Sequence, residues 1–122
     1  MKKPIRRLTG DRFEDLALRY LQSKGLKLTR RNYRCRMGEL DLIMQADDTL
    51  VFVEVRYRDN PAFGKAVASV DYHKQRKLIL AAQHFLLNSP QLQALPCRFD
   101  VVGVERDANG ILQLCWITDA FS

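Results

Sequence analysis

Four apolar residues in an unbroken row, Leu50-Val51-Phe52-Val53, run straight into Glu54, and no other stretch of the chain restricts its fold so tightly. A strand turns alternate side chains to opposite faces, so a run apolar at every position needs cover on both sides of its sheet. Residues 39–45 and 50–57 read as two neighbouring strands joined by the polar turn Ala46-Asp47-Asp48-Thr49. In the first of them Asp41 stands among Leu40, Leu42 and Ile43. An unpaired carboxylate buried in such strands costs several kcal/mol, so Asp41 and Glu54 each require a cation, hydrogen-bond donors or a raised pKa.

Around this pair the chain supplies two amphipathic helices. From Asp11 to Ser23 the apolar residues Phe13, Leu16, Ala17, Tyr20 and Leu21 follow helical spacing, with Thr9 as cap and Gly25 as stop. Residues 1–8 are then a loose basic arm, and residues 9–122 one domain. Glu14, one residue past Phe13, falls at the border of the buried stripe. It either leans over the sheet or sits exposed near a helix N-terminus. A second helix is expected from a Ser69 cap to about Asn88, its stripe formed by Val70, Leu78, Ala81, Ala82 and Phe85. Lys74 lies inside that stripe, where a lysine either snorkels to water or reaches a bound phosphate.

The remaining strands are expected at residues 26–36, 97–105 and 111–117, the last two joined by the Asp107-Ala108-Asn109-Gly110 turn. Asp100 and Arg98, two apart on one strand face, read as a structural pair. Pro61 and Gly64 mark residues 58–68 as a loop long enough to act as a flap. The order helix, three strands, helix, two strands predicts an α/β fold with a mixed sheet covered by helices on both faces.

Charge is unevenly placed. Residues 1–36 hold 12 Lys or Arg against three acids, a net of +9, whereas residues 37–122 hold eight against 11, a net of −3. A basic third of this kind suits a polyanion, nucleic acid above all, although a solvated face gives the same pattern. Arg30, Arg31, Arg34 and Arg36 line the first, edge-like strand around Tyr33, which could hold a backbone phosphate or stack on a base. Basic residues also keep an edge strand from pairing wrongly. The positive N-terminus is not followed by the apolar stretch of a signal peptide, and no run approaches membrane-spanning length, so a cytoplasmic protein without membrane partners is expected. Cys35, Cys97 and Cys115 have neither the number nor the spacing of a disulfide framework or zinc site.

Helical Glu14, strand Asp41 and the Glu54-x-Arg56 step 13 residues later resemble the PD-(D/E)xK nuclease superfamily. More closely, the chain resembles the bacterial YraN family, whose fold is similar to restriction endonucleases and archaeal Holliday-junction resolvases. The matching segments are GDRFEDLALRYLQSKGL, RNYRCRMGELDLI, VFVEVRYR, Ser69-Val70 with Lys74, and CRFDVV, which together span nearly the whole chain. The resemblance implies a restriction-endonuclease-like fold and Mg²⁺- or Mn²⁺-dependent hydrolysis of phosphodiester bonds, in DNA ahead of RNA and with branched or damaged DNA in view. Glu14, Asp41 and Glu54 would hold the metal, Arg56 and Lys74 the phosphate, and Glu39 would bind metal or organise the site. Related resolvases work as homodimers.

Arg56 stands where the superfamily usually has lysine. Arginine stays protonated and cannot serve as a base, but it can hold a phosphate; Lys74 is the candidate for the missing amine. Two other functions share these residues: a nucleic-acid-binding module of the same fold without turnover, and a basic accessory protein of a ribonucleoprotein. A purely structural alternative pairs Glu54 with Arg56 and Asp41 with an arginine of the basic segment.

Overall fold

A computed structural model describes residues 5–58 and 68–122, with side chains described from residue 12 onward in the first helix. In it, helix α1 (Ile5–Ser23) is followed by strands β1 (Lys27–Cys35), β2 (Gly38–Ala46) and β3 (Thr49–Arg58). Helix α2 (Tyr72–Leu87), a short 3₁₀ turn (Pro90–Leu92), β4 (Cys97–Arg106) and β5 (Leu112–Phe121) complete the domain. The sheet order is β1-β2-β3-β4-β5, antiparallel except where β3 pairs with β4 in parallel. This is the mixed α/β domain, in the element order, that the sequence predicts. No described helix is long and apolar enough to cross a membrane.

Central β3 explains the unbroken apolar run. Leu50 and Phe52 pack with Leu78, Ala81, Ala82 and Phe85 of α2, while Val51 and Val53 pack with Phe13, Ala17 and Leu21 of α1. Both faces of the strand are therefore covered, and its next outward positions inherit that geometry. Glu54 continues the α2 side, whereas Tyr57, on the α1 side, stacks on Phe13 with ring centroids 3.8 Å apart.

Three boundaries differ from the sequence-based reading. Helix α1 already runs at Ile5, so Thr9 lies within it and does not cap it. The segment from Ile5 to Leu8 contains no helix breaker, and Gly10 weakens a helix by about 1 kcal/mol without ending it. The rest of the anticipated arm, residues 1–4, falls outside the described residues. The cap of α2 is Asp71, whose carboxylate accepts the Lys74 N–H at 2.8 Å, and not Ser69. Strand β5 extends to Phe121, where Phe121 stacks on Phe99. The anticipated flap lies almost wholly within residues 59–67, outside the described residues.

A local irregularity in β1 and β2 decides which side chains meet over the sheet. Residues two apart on a regular strand share a face. Arg31 nevertheless turns toward α1 while Tyr33 packs under α2, and Leu42 and Leu40 divide in the same way. Between them lie Asn32, at φ 56°, and Asp41, which the cross-strand register brackets through Arg31–Leu42 and Tyr33–Leu40. Asparagine is among the few side chains that tolerate this left-handed conformation.

Candidate active site

The β2–β3 ladder runs from Ala46–Thr49 to Leu42–Val53. One step further Asp41 would face Glu54 directly, an arrangement that destabilises a strand pair when both are charged. Here the Asp41 side chain takes over a ladder position, its Oδ2 accepting the Val55 N–H at 2.8 Å. Burial, and then the adjacent negative charge of Glu54, push Asp41 from the ordinary 3.8 up to about 8. A hydrogen bond to Glu54, which only the protonated acid can donate, acts in the same direction. Asp41 is therefore the acid that holds a proton at neutral pH, directed at Glu54.

Glu54 is 4% exposed and is approached by two cations. Lys74 Nζ lies 3.4 Å and Arg56 Nη1 3.6 Å from Glu54 Oε2. Lys74 thus does not merely pass the core: the stripe of α2 aims it at the strand carboxylate. Ser69 holds Arg56 from the other side, accepting from Nε at 2.9 Å through Oγ and from Nη2 through its carbonyl. No sequence pattern marks Ser69 for that role, since its distance of 13 residues from Arg56 has no periodic meaning.

Glu14 is turned toward the sheet, with its side chain 18% exposed. Its pKa is raised, first by burial and then by the charge of Asp41, against the lowering effect of Arg31. Arg31 Nε donates to Glu14 Oε1 at 3.2 Å and Arg31 Nη2 to Asp15 Oδ1 at 2.6 Å. Glu39 adds its charge to both Glu14 and Asp41 and pairs with Arg34 at 3.5 Å on the surface. Glu14, Glu39 and Glu54, from three elements, are thereby each within electrostatic reach of Asp41. Among the described residues, however, no three His, Cys, Asp or Glu are gathered into a group able to hold a metal ion as they stand. The donors are all oxygens of the type that hard divalent cations take.

Two expectations for the basic strand change. Tyr33, considered for base stacking, is 6% exposed; it hydrogen-bonds His84 Nδ1, packs edge-on to Phe85 and lies beneath the Arg30 guanidinium at 4.9 Å. The face reversal at Asn32 carries it into the core. Arg31, counted among nucleic-acid contacts, is engaged by α1, and it is Glu14 and Asp15, not Asp41, that it pairs with. Arg30, Arg34 and Arg36 remain exposed.

Residues 13–104 match the uncharacterised protein family UPF0102. The chain belongs to family UPF0102. A UPF0102 protein of Nitrosococcus oceani is 50% identical over 123 residues, covering 99% of this chain and 97% of its own. Another, from Alcanivorax borkumensis, is 50% identical over 113 residues, 93% of this chain and 90% of the relative. Among solved structures, Pyrococcus furiosus SfsA in complex with Ca²⁺ aligns with this UPF0102 chain at a TM-score of 0.37 and 15% identity. The match covers 88% of this chain and 62% of SfsA, too slight a likeness to bear on function.

Proposed function

We propose that this UPF0102 chain is a metal-dependent nuclease that hydrolyses phosphodiester bonds in DNA, with branched or damaged DNA the first substrates to test. The observation that carries the reading is the Asp41–Glu54 pair, two carboxylates in one buried place with Arg56 and Lys74 converging on it. The resemblance to the YraN family and the PD-(D/E)xK nucleases supports the same assignment. Asp41 and Glu54 would hold Mg²⁺ or Mn²⁺, with Glu14 as the third carboxylate. When bound, such a cation makes water a stronger nucleophile and offsets charge on the phosphoryl oxygens.

The chain's own groups divide the remaining work. Arg56, fixed by Ser69 and always charged, grips a non-bridging phosphate oxygen without acting as a base. Lys74 supplies a mobile ammonium beside Glu54, where it can orient water or neutralise the developing negative charge. Exposed Arg30, Arg34 and Arg36 add sequence-independent affinity that weakens with salt.

Purified protein incubated with single-stranded, duplex and four-way-junction DNA in Mg²⁺ or Mn²⁺ tests the proposal. Cleavage by the wild type that is lost in Asp41→Asn and Glu54→Gln is the expected result. Cleavage persisting in Asp41→Asn overturns it. Binding without cleavage in both proteins identifies a nucleic-acid-binding module that lacks turnover, the outcome that arginine at position 56 would favour.

A further inference from the structure

We propose that Arg31 is a positioning residue that withholds Glu14 from the cation site until a nucleic-acid phosphate draws it away, so that metal and DNA bind cooperatively. The proposal rests on the nuclease reading and concerns how that site is assembled. Arg31 is aimed at helix α1 by the left-handed Asn32 that follows it, against the alternation that would otherwise group it with Tyr33. Its fork spans two acids one residue apart, Glu14 at 3.2 Å and Asp15 at 2.6 Å. A single carboxylate would suffice to neutralise it.

Glu14 reaches from α1 to the sheet, where its carboxylate meets Arg31, and among the described residues no three carboxylates form a ready metal-binding group. Glu14 is the member already engaged by a cation. Arg31 is not sealed in, its side chain being 29% exposed, and it is flanked by exposed Arg30 and Arg34. A phosphate offers the same bidentate acceptor geometry as a carboxylate. Transfer of Arg31 to phosphate would free Glu14 to complete the cation site, and by linkage the metal must then favour DNA binding by the same factor.

Metal affinity, not cleavage, is the readout. Mn²⁺ is titrated calorimetrically into wild type, Arg31→Met and Arg31→Met/Glu14→Gln, each with and without a short duplex oligonucleotide, and the Mn²⁺-induced Tm shift is taken against each variant's own metal-free value. Arg31→Met should bind Mn²⁺ without DNA roughly tenfold more tightly than wild type, within the usual range of such couplings. The oligonucleotide should tighten Mn²⁺ binding in wild type by a similar factor and do little in Arg31→Met, and the double variant should lose the gain. A variant with lower metal-free Tm but unchanged Mn²⁺ affinity makes Arg31 a strut between α1 and β1 and overturns the inference while leaving the nuclease reading intact. Wild type that binds no Mn²⁺ in either condition overturns both.

Discussion

Replacing Asp41 with asparagine should make the protein more stable, and increasingly so as pH rises. Asparagine is nearly isosteric, keeps an oxygen to accept the Val55 N–H, and offers an amide donor where Asp41 must otherwise direct a proton at Glu54. The wild-type acid holds its proton in the folded state up to about pH 8 but loses it near 3.8 when unfolded. Between those values the native state binds more protons than the unfolded one, so this group removes stability as pH rises and its effect levels off above pH 8. At about 1.4 kcal/mol per pH unit the shift sets a ceiling of about 6 kcal/mol, which belongs to the Asp41–Glu54 pair and not to one residue. A gain on the order of 2–4 kcal/mol for Asp41→Asn at pH 8.5 is expected, or roughly 10 °C in Tm. Urea unfolding of both proteins in a chelator, from pH 5 to pH 9, isolates the effect because every other titrating group is common to both. A stability difference that does not change across that range, or a variant less stable than wild type at pH 8.5, would refute the reasoning.

Asp100→Ala should act in the opposite sense, destabilising by about 3–5 kcal/mol, because it strips a fully buried carboxylate from Arg98, Trp116 and the Asp119 N–H; a loss under about 1 kcal/mol in chemical denaturation would show those donors to be otherwise satisfied. Asn32→Val should cost about 1–2 kcal/mol by forcing a β-branched residue into the left-handed region, whereas Asn32→Gly should stay within about 1 kcal/mol of wild type, and equal effects of the two would remove the backbone explanation. Asp71→Ala should lower stability by about 1 kcal/mol through loss of the α2 cap, read as a shift of the thermal midpoint.

The elements were legible where one physical demand dominates. The apolar run in β3 requires two covered faces and obtains them, and the stripe of α2 is the stripe that packs. The carboxylates of the candidate site were legible for the same reason, since an acid inside an apolar strand must be answered by something. What was hidden depends on backbone conformation that pattern alone does not encode. Periodicity assigns Tyr33 and Arg31 to one face, and a single left-handed residue sends them to opposite ones. The Ser69 contact with Arg56 and the Asp15 contact with Arg31 join segments whose approach follows from the packed sheet and not from spacing along the chain.

Asp41 and Asp100 show why the first is a candidate site and the second is not, although Leu40-Asp41-Leu42 and Phe99-Asp100-Val101 look alike as sequence. Asp100 is buried with donors on both oxygens: Arg98 reaches Oδ1 at 3.0 Å, Trp116 reaches Oδ2 at 2.9 Å and the Asp119 N–H reaches Oδ1 at 2.9 Å. That is how a carboxylate is accommodated when it ties strands together, with both oxygens answered from within the fold. Asp41 receives one backbone N–H and a second acid. Arg56 and Lys74 stand beside Glu54, leaving Asp41 to be neutralised by a proton. Natural chains retain such strain where it serves binding or chemistry, and under the proposed function a divalent cation would replace the proton and satisfy both carboxylates at once. A structural ion-pair network would instead predict that Mg²⁺ leaves the stability of the wild type unchanged at pH 8; the nuclease reading predicts that Mg²⁺ stabilises the wild type and does so far less in Asp41→Asn.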